Sequence, residues 1–263
     1  MSDKPVVIVT GGTYGLGRDI SLTLARRGWS VVAFGLESRQ ASSLAENAIP
    51  HLMAEAESAG LSILAVEADV SKESEVARVI STTIERFGRI DALVNNAAIG
   101  PLGTVLDTSP ELWDQIVDVN LKGPYLASRA VIPHFISQGG GSIVNVGSGS
   151  GWGKPNMAAY ATTKGGLLAF SAATALDFFH KRIRVNTVIP GGGGIVAGMS
   201  LGRVDGDINR LKEKAVGTVA GRATTGKDLA LAVAFLLSED AEVISGTVLD
   251  VGCFAHQGSS VPL

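Results

Sequence analysis

Three observations predict an α/β fold built on a doubly wound, mainly parallel sheet of seven strands, with helices on both faces. Short runs rich in β-branched residues alternate along the chain with segments of helical periodicity. Most strand candidates are continuous apolar runs, which is typical of strands buried on both faces. The chain of 263 residues contains 33 glycines and is 46% hydrophobic, a composition that suits many tight turns between strands and helices.

The predicted strands are short segments in which Val, Ile and other apolar residues predominate. In chain order they are Val6–Thr10, Ser30–Phe34, Ser62–Asp69, Ala92–Ala97, Ser142–Val146, Arg184–Pro190 and Thr247–Val251. Because a helical segment separates each strand from the next, successive strands are expected to run parallel.

The predicted helices fill the intervals between these strands. They are Leu16–Arg27, Ala41–Ala59, Lys72–Phe87, Pro110–Ser137, Ala158–His180 and Lys227–Leu237. Proline lacks a backbone N–H and clashes with the preceding turn, so Pro133 is expected to kink or end the fourth helix. Pro50 is expected to divide the second for the same reason.

Composition excludes several classes of function. No linker or repeat divides the chain, so residues 1–263 are expected to form one domain. A net charge of −3 argues against a nucleic-acid or membrane partner. The single cysteine excludes an internal disulfide and a CxxC zinc site, and the four histidines lack metal-ligand spacing, so no metal site is predicted. No apolar run suits a membrane span or a leader, and the expected location is cytoplasmic.

A glycine-rich turn follows the first predicted strand. Residues Thr10–Gly17 have the pattern G-x-x-x-G-x-G and run directly into a helix. Such a turn lets a pyrophosphate approach the backbone, and the helix N-terminus offers free N–H groups. The alternative is an ordinary strand-to-helix turn, but its place in the first βαβ unit favours a dinucleotide site and a Rossmann-type fold.

With five further motifs in the expected order, this turn makes the chain resemble the single-domain branch of the short-chain dehydrogenases/reductases, over roughly residues 5–255. The matching segments are Thr10–Gly17, Ala68–Val70, Asn95–Ala98, Asp118–Asn120, the trio Ser148, Tyr160 and Lys164, and the stretches Arg184–Asn186 and Pro190–Gly191. Ala98 stands where the family usually has glycine.

The resemblance implies a nicotinamide cofactor, NAD(H) or NADP(H). The residues implied to bind it are Thr10, Gly11, Thr13, Tyr14, Gly15, Leu16, Gly17, Asp69, Val70, Asn96, Ala97, Ala98, Tyr160, Lys164, Pro190 and Gly191. Asp69 is the acidic residue that faces the adenine in the family, and Pro190–Gly191 lies beside the nicotinamide.

Tyr160 and Lys164 stand four residues apart, which places both on one face of a helix. A tyrosine hydroxyl ordinarily has a pKa near ~10, and a neighbouring ammonium lowers it by stabilising the phenolate. Tyr160 is therefore the predicted general acid/base. Ser148 is predicted to hold the substrate oxygen. The resemblance implies that Asn120 kinks its helix and orients a water molecule that links Lys164 to solvent.

Two departures from the family pattern affect the substrate side. The interval between Ser148 and Tyr160 is one residue shorter than usual, so Ser150 is a rival for the serine role. Ser148 is favoured because the segment Ile143–Ser148 matches the corresponding strand end of the family directly. Ser148, Trp152 and Tyr160 are the predicted substrate-pocket residues.

After Pro190 the chain has extra glycines, at 191–194, and carries Ala197 where the family has a threonine that holds the nicotinamide carboxamide. Residues 191–226 are therefore expected to form a substrate loop or lid.

The end of the second strand bears on the choice of cofactor. NAD-preferring members usually place Asp at the position of Gly35, where a carboxylate binds the ribose 2′-hydroxyl and repels a 2′-phosphate. Its absence favours NADP(H) over NAD(H), with Arg39 as the candidate partner of the phosphate. Glu37, 20 residues after Gly17, is the alternative, as a ligand of the ribose hydroxyls.

The predicted function is interconversion of a secondary alcohol and a ketone by hydride transfer, on a small-molecule substrate. A cofactor-sensing regulatory protein without turnover is the alternative, although such proteins tend to lose the Tyr and Lys. A sugar-nucleotide epimerase or dehydratase is a third, disfavoured by the short C-terminal part of the chain. The resemblance also implies a homotetramer assembled through the helices at 110–137 and 158–180.

Overall fold

The computed structural model describes residues 4–37, 48–191, 199–200, 207, 209–210 and 218–254. Its strands are β1 Val6–Thr10, β2 Ser30–Gly35, β3 Ile63–Glu67, β4 Ala92–Asn95, β5 Gly141–Val146, β6 Ile183–Ile189 and β7 Val248–Asp250. All seven predicted strands are present, with ends shifted by one or two residues, which is the usual uncertainty of an element boundary.

The seven strands form one sheet in the order β3-β2-β1-β4-β5-β6-β7, and every neighbouring pair is parallel. The predicted doubly wound fold is confirmed. The strand order reverses direction between β1 and β4, which leaves a crevice beyond the carboxyl ends of these two strands. In open α/β sheets ligands bind in that crevice.

The helices are α1 Gly15–Arg26, α2 Ala48–Ser58, α3 Glu73–Phe87, α4 Pro110–Val117, α5 Gly123–Gln138, α6 Ala158–Phe178 and α7 Gly226–Leu237. One apolar layer packs α1, α2 and α7 against the sheet, through residues such as Ile20, Leu52 and Leu229. The opposite layer packs α3, α5 and α6, through residues such as Val79 and Phe135. Among the described residues, no helix is both long and apolar enough to cross a bilayer.

The predicted second helix is confirmed only in part. The structure describes it from Ala48 to Ser58, and residues 41–47 lie outside the described ranges. Pro50 does not divide it within that range, because Pro50 lies in its first turn, where no intrahelical partner of the proline nitrogen is needed.

The predicted fourth helix was wrong as one continuous element. Its residues form α4 and α5, joined by a π-helical turn at Asp118–Lys122. Pro133 does not end the helix, since α5 continues to Gln138. Proline removes one backbone hydrogen bond, but the buried neighbours Ile132 and Phe135 keep the helix packed on the sheet.

Candidate active site

Side chains at the ends of β1 and β4 join the two sides of the crevice. Thr10 Oγ1 accepts hydrogen bonds from the backbone N–H of Asn96 at 3.0 Å and of Ala97 at 2.9 Å. Asn96 Nδ2 donates in return to the carbonyls of Thr10 and Gly11, both at 3.0 Å. These predicted cofactor residues are therefore held rigidly against each other.

The glycine-rich turn brings the N-terminus of α1 close to the end of β1. A Cβ at Gly17 would collide with the carbonyl oxygen of Gly11, so only glycine allows this approach. Ser21 Oγ donates to the carbonyl of Gly12 at 2.9 Å and holds the turn from the helix side. A glycine-rich turn that leads directly into a helix N-terminus suits a pyrophosphate, and the residues present fit a dinucleotide.

Asp69 follows β3 and is held in a tight turn. Its Oδ1 accepts hydrogen bonds from the N–H of Ser71 at 2.9 Å and from the Ser71 hydroxyl at 2.7 Å. Its own N–H donates to Glu75 Oε2 at 2.8 Å. Val70 is buried beside Gly123, at the start of α5. The predicted adenine side of the site is thus a preformed turn.

The end of β2 faces the glycine-rich turn. A Cβ at Gly35 would lie 3.0 Å from Thr13 Oγ1 and 3.5 Å from Gly11 Cα. Glu37 turns away to α2, where its Oε1 accepts the N–H of Ile49 at 2.8 Å. A carboxylate at a helix N-terminus is stabilised by the free N–H groups and the positive end of the helix dipole. Arg39, the predicted partner of a 2′-phosphate, lies outside the described residues.

Tyr160 and Lys164 are both buried, one turn apart on α6, as the sequence predicted. Lys164 is only 2% exposed, and its Nζ donates to the carbonyl of Val146 at 2.8 Å. The same Nζ lies 5.7 Å from the centroid of the Tyr160 ring. Burial disfavours the ammonium and lowers the pKa of Lys164 to about 8. The contact with Val146 brings this pair to the end of β5.

The two candidate serines differ in their surroundings. Ser148 is half-buried after β5, and its Oγ accepts the N–H of Ser150 at 3.1 Å, which leaves its hydroxyl hydrogen available to another acceptor. Ser150 is buried, and its hydroxyl donates to the sulfur of Met157 at 3.3 Å. This arrangement favours Ser148 over Ser150. Trp152, in the 3-10 turn Gly149–Trp152, is 50% exposed.

Asn120 lies in the π-helical turn and is completely buried. Its Oδ1 accepts the N–H of Ile99 at 2.8 Å, and its Nδ2 donates to the carbonyl of Ile99 at 2.8 Å. The same Nδ2 donates to Thr163 Oγ1 at 3.2 Å. Asn120 therefore joins the segment after β4 to the helix that carries Tyr160.

The region beyond β6 is described only in part. Pro190 and Gly191 follow β6, and a Cβ at Gly252 would collide with Gly191, so the segment after β7 packs directly on this stretch. Gly192, Gly193, Gly194 and Ala197 lie outside the described residues, as does most of the predicted lid at 191–226.

Sequence reasoning missed two groups of this site. The carbonyl of Val146 binds Lys164, and a backbone acceptor leaves no signal in the residue types. Thr163 was also missed, although its spacing of three from Tyr160 places it on the same buried face of α6. Arg184 in β6 donates to the carbonyls of Leu236 and Ser238 at the end of α7.

Comparisons with known proteins show that this chain is similar to dehydrogenases and reductases. A family model described as short chain dehydrogenase matches residues 5–200. The 2-(R)-hydroxypropyl-CoM dehydrogenase of Xanthobacter autotrophicus is 38% identical over 93% of this chain and 95% of its own length. A 3-oxoacyl-acyl-carrier-protein reductase of Staphylococcus epidermidis is 32% identical over 93% of this chain and 96% of its own length.

Two solved structures have the same fold over nearly their whole length. A variant of actinorhodin polyketide ketoreductase with NADPH superposes with a TM-score of 0.86 at 26% identity, covering 97% of this chain and 98% of its own. The 3-ketoacyl-acyl-carrier-protein reductase of Brucella melitensis, complexed with NADH, has a TM-score of 0.79 at 32% identity and covers 95% of this chain and 98% of its own.

Proposed function

Since the chain belongs to the short-chain dehydrogenases/reductases and is an NAD(P)-dependent oxidoreductase, we propose that it interconverts a secondary alcohol and a ketone with Tyr160 as general acid/base. The observation that carries this proposal is the buried pair on α6. Lys164 Nζ lies against the Tyr160 ring and is anchored to the end of β5 through the carbonyl of Val146.

Tyr160 moves the proton. In the reducing direction its hydroxyl gives a proton to the substrate oxygen, and in the oxidising direction the phenolate takes it back from the alcohol. A nicotinamide held in this site would supply or accept the hydride at the carbon that bears the substrate oxygen. The ammonium of Lys164 stabilises the phenolate, and the Ser148 hydroxyl holds the substrate oxygen where negative charge develops.

The crevice between β1 and β4 would hold the cofactor. The glycine-rich turn and the N-terminus of α1 would bind its pyrophosphate. Asp69 and Val70 would hold the adenine side, Asn96 to Ala98 would form a further part of the site, and Pro190–Gly191 would hold the nicotinamide side. Lys164 would also bind the nicotinamide ribose. Residues 1–263 act as one domain.

Ketone-dependent oxidation of a reduced nicotinamide tests the proposal. We expect at least one member of a panel of acyl, cyclic and polyol ketones to oxidise the reduced nicotinamide, which removes its fluorescence. The same panel is run with NADPH and with NADH. Cofactor binding without turnover on every ketone and on the matching alcohols would support the regulatory alternative instead.

NADP(H) is favoured over NAD(H) in the same experiment. Gly35 offers no carboxylate to repel a 2′-phosphate, and Glu37 is already bonded to the N-terminus of α2. We expect a higher kcat/KM with NADPH, and Arg39→Ala is expected to lower it with NADPH but not with NADH. A tenfold preference for NADH, worth ~1.4 kcal/mol, would contradict this assignment and favour Glu37 as a ribose ligand.

Assembly into a homotetramer is supported by an apolar surface on two neighbouring helices. Tyr125 and Ile136 on α5 are exposed, and α6 exposes Ala169, Ala172, Ala173 and Leu176 along one stripe. This face has no packing partner within the described part of the chain, and exposed apolar patches mark association sites. Light scattering is expected to give about four times the chain mass of 27.1 kDa. A mass of one chain at micromolar concentration would exclude the assembly.

A further inference from the structure

Thr163 forms a link that the proposed mechanism does not use. It is completely buried on α6, on the same face of the helix as Tyr160 and Lys164. Its hydroxyl donates to the carbonyl of Tyr160 at 2.8 Å and accepts from Asn120 Nδ2 at 3.2 Å. The hydroxyl therefore donates to the backbone of Tyr160 and accepts from Asn120, which lies in the π-helical turn outside α6.

Asn120 has no spare donor once this link is made. One of its two amide hydrogens goes to the carbonyl of Ile99 and the other to Thr163, while its Oδ1 accepts the N–H of Ile99. The donors align in one direction, from the Asn120 amide to the Thr163 hydroxyl and on to the Tyr160 carbonyl. Aligned hydrogen bonds in a buried setting strengthen each other.

We propose that Thr163 is a positioning residue that sets the place of Tyr160 and Lys164 relative to Asn120 and the segment after β4. This inference rests on the proposed function. The π-helical turn around Asn120 opens the regular hydrogen bonding of the helix, and such turns commonly occur at functional sites. Thr163 connects the π-helical turn to the first turns of α6. A shift of the π-helical turn therefore also moves the segment of α6 that carries Tyr160 and Lys164.

Thr162 provides a matched comparison within the same helix. Its hydroxyl also donates to a backbone carbonyl one turn earlier, that of Ala158 at 2.9 Å, but Thr162 is exposed. A threonine bonded only within its own helix would have a local effect on that helix. The difference between the two positions isolates the contact with Asn120.

The test compares Thr163→Val, Thr163→Ser and Thr162→Val in the full-length enzyme. Valine keeps the shape of threonine but leaves a buried Asn120 hydrogen without an acceptor. We expect Thr163→Val to lower kcat by about ten- to a hundredfold, the range that small misplacements of catalytic groups produce, with little change in cofactor KM. The Ser variant is expected to recover most of the rate, and Thr162→Val to behave as wild type.

A pH titration separates positioning from general loss of structure. The ammonium of Lys164 is the charged group near the Tyr160 ring, with its Nζ 5.7 Å from the ring centroid. If the ammonium moves away from Tyr160, the phenolate loses part of its stabilisation, so the pKa in the kcat/KM profile is expected to rise in Thr163→Val. Ultraviolet titration gives an independent value, since the chain has only three tyrosines and the spectrum of Tyr160→Phe can be subtracted.

Three outcomes are decisive. A Thr163→Val enzyme with wild-type kcat and pH profile overturns the positioning role of Thr163. That result leaves the proposed function standing, because Tyr160→Phe tests the proposed function separately. A loss of kcat that serine does not recover, or that Thr162→Val reproduces, overturns it as well. If the Val variant does not fold by circular dichroism, Thr163→Ala is measured in its place with the same expectations.

Discussion

Tyr160→Phe is expected to reduce turnover by at least ~10²–10⁴-fold while leaving cofactor binding intact. The substitution removes only the hydroxyl, and the ring keeps its buried place beside Lys164. The glycine-rich turn, which we propose binds the phosphates, lies on other elements. Rates are measured as ketone-dependent oxidation of the reduced nicotinamide, and binding by quenching of its fluorescence.

Tyr125→Phe is the control for this experiment. Tyr125 is 47% exposed on α5, outside the catalytic group, and its phenylalanine variant should keep the wild-type rate. Near-native turnover in Tyr160→Phe would show that another group transfers the proton, whereas loss of cofactor binding as well would indicate a structural effect.

Lys164→Met is expected to abolish turnover and at the same time to stabilise the fold near pH 7. The buried ammonium has a pKa lowered to about 8, so below that pH the folded state holds a charge that burial disfavours. A depression of this size corresponds to about 3 kcal/mol, and loss of the hydrogen bond to Val146 offsets part of it. We therefore expect a net gain of about 1–2 kcal/mol.

The gain should depend on pH in a defined direction. Between about pH 8 and pH 10.5 the folded enzyme has released the Lys164 proton while the unfolded chain still holds it. The wild type therefore gains stability relative to the variant as the pH rises through this window. Urea unfolding of both proteins at pH 7 and pH 10 tests this, with Lys181→Met, at an exposed lysine, as the control. A constant difference between the two proteins would contradict the assigned burial cost.

The fold was predictable because its signals are local. Short runs rich in β-branched residues, most of them continuous and apolar, identified all seven strands, and the helical segments between them required parallel pairing. The glycine-rich turn was predictable for a similar reason, since its residues are adjacent in the chain. The break between α4 and α5 was not predictable from helical periodicity, and only the family resemblance implied a kink at Asn120. Asn120 occupies its place through bonds with Ile99 and Thr163, both 20 or more residues away.

The candidate site divides in the same way. Four-residue spacing by itself places Tyr160 and Lys164 on one helical face, and the sequence determined that pairing together with the family of the enzyme. Only the tertiary structure decided that Lys164 binds the carbonyl of Val146, that Glu37 binds α2, and that Thr163 rather than Thr162 contacts Asn120. Spacing determines geometry within one helix or turn, whereas contacts between elements and the burial that lowers the Lys164 pKa arise only when those elements pack.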